Sequence, residues 1–241
     1  MKLALLCTTK KVFPTGKNLH VRLIFFFLLS FFSCVVSAQP APDEAYTKVI
    51  TERSVKIVNT LGIKDSVIYN KVVLSLVNQY RGLSVIQDEN KTAVSKIKTD
   101  TAAGKELMAS RLKEQEEKRN TRTLLLHEQF VSGLQALINA SQLEQVKDGL
   151  TYGVFPKTYT AYLEMIPSLT AEQKLKIYDW LKEARELAMD GENSDKKHAV
   201  FGKYKGKINN YLSAQGYNVK KEGEEWAKRI EAARKAKEVQ N

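Results

Sequence analysis

Residues 196–221 hold seven lysines (196, 197, 203, 205, 207, 220 and 221) and no acid. If the segment is helical, Lys203, Lys207 and Asn210 share an outer face, while His198, Lys205 and Asn209 lie beside the apolar stripe. Clustered ammonium groups with one imidazole suit a carboxylate or sulfate ligand, with His198 as acid or base. Lys205 and Tyr204 are the other candidates for catalysis, and Lys197, Lys203 and Asn209 for ligand binding. The plainer alternative is a solvated lysine face with His198 at its edge. One helix earlier, Asp179, Glu183, Glu186 and Asp190 follow an i, i+4, i+7, i+11 spacing that sets four carboxylates on one face. That pattern fits paired carboxylates for glycosidic chemistry, a hard-metal site, or simple ion pairing with the lysine helix.

Seven of the ten tyrosines fall between 152 and 217, with Trp180 among them. Tyr152, Tyr159, Tyr162 and Trp180 are candidates to line a cleft for a sugar or another amphipathic ligand; the competing reading is an ordinary helical core. The sequence has no H-E-x-x-H, Walker A, G-x-G-x-x-G or G-x-S-x-G motif, so it points to no metal and no cofactor.

The elements that must position these residues read as helices throughout. Tyr46, Val49, Ile50, Ile57 and Leu61 share one face, and Gly62 ends that helix. Asp65 or Ser66 starts a second, with Ile68, Val72, Val73, Leu76, Val77, Tyr80 and Leu83 inward. Residues 88–120 are polar, with Val94, Ile97, Leu107, Met108 and Leu112 as a thin stripe. They read as one long exposed helix or two broken near Gly104. Asn139 and Thr170 each follow an apolar residue and precede a Gln three positions on, the signature of a capping box. Residues 152–167 read as an irregular aromatic connector with one short helix. Helices follow over 171–190 (Leu181, Ala184, Leu187 and Ala188 inward), over 195–213, and over 219–238, the last anchored by Trp226 and Ile230. Gly202 and Gly206 suggest close approach of a neighbouring helix. The fold class expected is all-α: one bundle-like domain over 39–241, of about six to eight helices, including a long polar one.

The first 38 residues read as an export signal. Lys10, Lys11, Lys17 and Arg22 precede an apolar run from Leu23 to Val36, and Val36-Ser37-Ala38 supplies a small-residue cleavage site. The run is shorter than the ~20 residues of a membrane span. An uncleaved anchor, or a lipid on Cys34, would be the only membrane attachment. The whole chain carries 38 basic and 27 acidic residues, a net +11. Cleavage after Ala38 removes five basic residues and no acid, leaving +6. It also removes both cysteines, Cys7 and Cys34. The lysines of 196–221 account for that surplus, the remainder summing to −1. An exported protein so charged is expected in the periplasm or outside the cell, with an acidic glycan rather than nucleic acid as its partner; oligomeric state is left open.

Several stretches carry a resemblance. Asp148-Gly149-Leu150-Thr151-Tyr152-Gly153-Val154, Tyr162-Leu163-Glu164-Met165-Ile166-Pro167, Lys196-Lys197-His198-Ala199 and Phe201-Gly202-Lys203-Tyr204-Lys205-Gly206 resemble a family of secreted proteins from Bacteroidetes, catalogued as a domain of unknown function. Ile208-Asn209-Asn210-Tyr211-Leu212 and Glu224-Glu225-Trp226-Ala227 extend the likeness, which covers most of residues 39–241 and is dense over 138–228. Members are often encoded near polysaccharide-degradation genes. The resemblance therefore implies a glycan context and assigns no catalytic residue. Leu169-Thr170-Ala171-Glu172-Gln173 is similar to the start motif of small periplasmic helical stress proteins. Three functions follow as expectations: an extracytoplasmic binding or accessory protein, a lyase or hydrolase on an acidic polysaccharide, and a chaperone-like envelope protein.

Overall fold

The computed structural model describes residues 44–102 and 104–239. The export signal, its cleavage site, Cys7 and Cys34 lie outside them. Among the described residues there are eight helices and no strand: α1 (Glu44–Asn59), α2 (Ser66–Thr99), α3 (Lys105–Gln135), α4 (Ala140–Leu150), α5 (Val154–Met165), α6 (Ala171–Met189), α7 (Ser194–Ala214) and α8 (Val219–Val239). The protein is all-α, as its apolar spacing requires.

Side-chain caps start most of these helices. Asp65 accepts from the amides of Val67 and Ile68 at 2.7 and 3.0 Å. Asn139 and Thr170 form reciprocal capping boxes with Gln142 and Gln173, satisfying two otherwise unpaired groups at each start. Asn193 and Asn218 accept from Lys196 and Lys221, each at 3.0 Å. Gly62 and Gly216 supply the left-handed residues, φ +66° and +90°, that turn the chain after α1 and α7.

The polar stretch is two helical segments broken near Gly104, the second of the two readings of it. Its first half continues α2 to Thr99 without a break, and its second half opens α3 at Lys105. The resulting hairpin is held by polar pairs: Asn90 with Gln115 at 3.2 Å, Asp100 with Arg111 at 2.7 Å, and Glu89 with Arg122. The aromatic connector is helix α5. Pro156 is its third residue, where the backbone needs no amide donor.

Two apolar clusters organise the interior. The first joins Val58, Val72, Leu76, Phe130, Leu134, Val146 and Leu150 from α1 to α4, and takes in Met189 at the end of α6. The second joins Phe155 and Tyr162 of α5, Ile177, Leu181, Ala184 and Ala188 of α6, and Phe201, Ile208 and Leu212 of α7. Several residues expected on apolar faces are instead outside: Tyr46, Val49 and Leu107 are exposed, as are Leu187 at 55% and Ile230 at 50%. The buried line of α6 runs through 177, 181, 184 and 188, and Leu187 sits about 100° off it. Gly202 and Gly206 face open space, so they admit no neighbouring helix. Close approach occurs at Gly149, where an added Cβ would meet two Ile57 carbons at 2.9 Å.

Candidate functional site

α5, α7 and the start of α8 line an open cavity of about 310 Å³. Its α5 wall is Lys157, Thr158, Ala161, Tyr162 and Met165; α7 contributes Lys205 and Asn209, and α8 contributes Val219. Two lysines and no carboxylate line it. The Tyr162 hydroxyl donates to Asn209 Oδ1 at 2.7 Å. Burial pushes this phenol up to about 12, so it stays a donor at neutral pH and cannot serve there as a base. The bond engages the Asn209 oxygen and leaves its amide nitrogen as the polar group for a ligand. The space can hold one acidic, partly apolar group: ammonium charge at the rim, amide and hydroxyl within, and Ala161, Met165 and Val219 for contact.

The position of α8 depends on Arg229, which donates to the carbonyls of Glu164 and Met165 at 2.9 and 3.1 Å. Those are the last two residues of α5, whose carbonyls have no partner inside the helix, and a cation is favoured at that end.

Of the sequence candidates, Tyr162, Lys205 and Asn209 therefore meet in one cavity. The others go elsewhere. His198 is exposed and stacks on Tyr152, with ring centroids 6.0 Å apart and planes at 15°. Tyr152 itself holds a left-handed backbone, φ +60°, in the α4–α5 turn. Tyr204 faces Glu183 on α6; burial and that carboxylate raise it to about 12. Trp180 packs edge-on to Tyr211 at 5.3 Å, and Lys207 sits over the indole at 4.6 Å, so Lys207 does not lie on a free outer face. Tyr159 packs edge-on to Tyr178. Lys203 is exposed. Lys197 is buried and donates to the carbonyls of Leu150 and Met189 at 2.9 and 3.2 Å, so it is not open to a ligand.

The carboxylate stripe of α6 divides. Glu183 serves Tyr204, whereas Glu186 and Asp190 enter an ion-pair seam between the two apolar clusters. At its centre is Arg185, fully buried, which donates to Asp148 at 2.7 Å, to Glu144, and to Glu186 at 3.4 Å. Its guanidinium carbon lies 4.9 Å from the centre of the Phe155 ring. Burial works against charge on Glu144, but Arg185 outweighs it and holds that carboxyl below its ordinary range. Lys147 pairs with Glu186 at 2.8 Å. His127 completes the seam, with Nδ1 at 2.9 Å from Asp190 and Nε2 at 3.8 Å from Glu186; Gln79 donates to the other Asp190 oxygen at 3.2 Å. Among the described residues no cluster of His, Cys, Asp or Glu is arranged to hold a metal ion. The seam was legible in one respect: Arg185 occupies an apolar register of α6, four after Leu181 and three before Ala188, where an arginine must find buried partners. Lys157 carried no such signal.

A family model described as a protein of unknown function, DUF3826, matches residues 47–232, and the chain belongs to that family. No curated protein matches the chain.

Proposed function

We propose that this member of DUF3826 is an exported binding or accessory protein that engages an acidic glycan through the cavity between α5 and α7. The observation that carries the reading is the lining itself: Lys157 and Lys205 with no opposing carboxylate, beside Tyr162 and Asn209 as hydrogen-bonding groups. A carboxylate entering there exchanges water for ammonium and amide donors, and the sugar's apolar face meets Ala161 and Met165. The basic segment, apolar run and small-residue site within 1–38 support export. The likeness to secreted proteins encoded near polysaccharide-degradation genes supports the glycan context.

Binding is favoured over a lyase or hydrolase by placement. Removing a proton next to a uronate needs a base within hydrogen-bond reach of the bound ring. Of the three catalytic candidates, His198 and Tyr204 do not line the cavity, Lys205 enters it as the counter-charge for the ligand, and Tyr162 holds its proton. The test is an acidic and neutral glycan array followed by titration of the purified protein. Acidic sugars should bind, more weakly with rising salt, and Lys205→Ala should weaken binding about tenfold, the order of one charged hydrogen bond. Unsaturated product accumulating with time would establish the lyase instead. Retention of no acidic glycan would end the glycan reading.

A further inference from the structure

We propose that the site continues past Lys157 into a second subsite, and that the pair of subsites recognises an acidic sugar joined to a neutral one. The inference rests on the cavity as a glycan site and goes further by naming the repeating unit. A second space of about 450 Å³ adjoins the first, and the two share Lys157 and Ala161 in their walls. Its far side is Trp226 of α8, and Thr160 and Glu164 of α5 complete it. The indole is only half-buried and lies against the surface of α5 rather than in either apolar cluster. An indole presented this way offers a flat face to the C–H side of a pyranose ring, with a polar residue within reach of the hydroxyls.

Charge orders the two halves. Lys205 lines only the first space, Lys157 both, and Glu164 only the second. The two spaces flank the same stretch of α5, one against positions 158, 162 and 165 and the other against 156, 160 and 164, so a disaccharide crossing the Lys157–Ala161 ridge places one ring in each. A uronate in the first space meets Lys205 and Lys157, the latter also donating to the Tyr152 carbonyl at 3.2 Å. A second uronate, in the second space, would meet Glu164 and pay for the approach of like charges. A neutral ring there meets an aromatic platform and a hydrogen-bond acceptor instead. A wholly neutral chain leaves both lysines without a counter-charge. The mixed acidic–neutral unit is the sequence of sugars that satisfies all three charged side chains.

The measurement is titration calorimetry of the purified protein with four kinds of probe: free uronic acids, aldobiouronic acids (a uronic acid linked to a neutral sugar), the corresponding neutral disaccharides, and di-uronic acids. The best aldobiouronic acid should bind about tenfold more tightly than its free uronic acid, the order of one aromatic stacking contact plus a hydrogen bond. Trp226→Ala should reduce that gap to about twofold and leave free uronic acid binding unchanged, with Trp226→Phe intermediate and unaltered melting confirming the fold. Glu164→Gln should raise affinity for di-uronic acids alone. Equal binding of monomer and disaccharide, tighter binding of di-uronic acid by the unaltered protein, or equal capture of a hexaglutamate peptide would each overturn the second subsite or its sugar order. Failure of every acidic sugar to bind would instead remove the first cavity's role.

Discussion

Single residues show how burial reassigns chemistry that a sequence advertises. Lys197 reads as one of seven like lysines, yet its spacing of four from Phe201 puts it on the core line of α7 with Ile208 and Leu212. Burial lowers it to about 8, with Asp190 pulling the other way, and its ammonium binds the last carbonyls of α4 and α6. The helix phase is visible in the sequence; grouping Lys197 with the other lysines by charge conceals it. His127 carries no signal in the sequence because its carboxylate partners, Glu186 and Asp190, are 59 and 63 positions away, at the C-terminal end of α6. There the hydrogen bond to Asp190, against burial and with help from Glu186, raises its pKa while Lys147 opposes. A histidine raised in the folded state contributes stability that is complete below its unfolded value, about 6.5, and is lost as pH climbs through the folded value. Unfolding free energy should therefore decline above about pH 6.5, and His127→Gln should remove that part of the decline. Denaturant melts between about pH 5 and 8 measure it, below the window in which Lys197 adds an opposite slope. Parallel curves for the two proteins would show that His127 carries no such linkage.

Among the elements, those specified by neighbours in sequence were legible and those specified by distant packing were not. Both capping boxes, the Asp65 cap and the glycine stops after α1 and α7 are local chemistry and sit where the sequence puts them. α5 was not legible as a full helix because Pro156 and three aromatic residues resemble a connector. With α5 unread, Lys157 could not be placed opposite Lys205, although Tyr162, Lys205 and Asn209 had each been singled out. The glycines make a sharp contrast. Gly202 and Gly206 are interior to α7 and face open space, so each replacement by Ala should add about 1 kcal/mol of stability, raising the melting temperature by roughly 2–4 °C. Gly149→Ala drives a methyl group into Ile57 at the α1–α4 crossing and should cost about 1–3 kcal/mol. Calorimetric melts of the three variants test both signs. A destabilised Gly202→Ala protein would mean that α7 has a contact on that face.

At the scale of the molecule, two apolar clusters meet across a layer of charge. Arg185 is the central group of that layer, joining α6 to two carboxylates of α4 while stacking on Phe155 of the second cluster. Arg185→Met keeps the length of the side chain and removes the charge. Glu144, Asp148 and Glu186 retain partial access to water, so the loss should fall at the lower end of the range for a broken buried pair, about 3 kcal/mol. That corresponds to roughly 6–12 °C in melting temperature. Arg185→Lys should recover little, because a single ammonium cannot reach two carboxylates in fork geometry. An unchanged melting temperature would show that the layer fills space without holding the clusters together.

The bond from Lys197 to the ends of α4 and α6 also bears on the order in which the protein can be completed. Synthesis runs from the N-terminus, so both helices are made before the group that satisfies their final carbonyls. Until α7 has emerged and docked, the junction of the two clusters ends in unpaired backbone oxygens. A chain halted before residue 197 holds every residue of the first cluster and still lacks what closes it. The finished structure is locked from its C-terminal side, by a residue that arrives after most of what it secures.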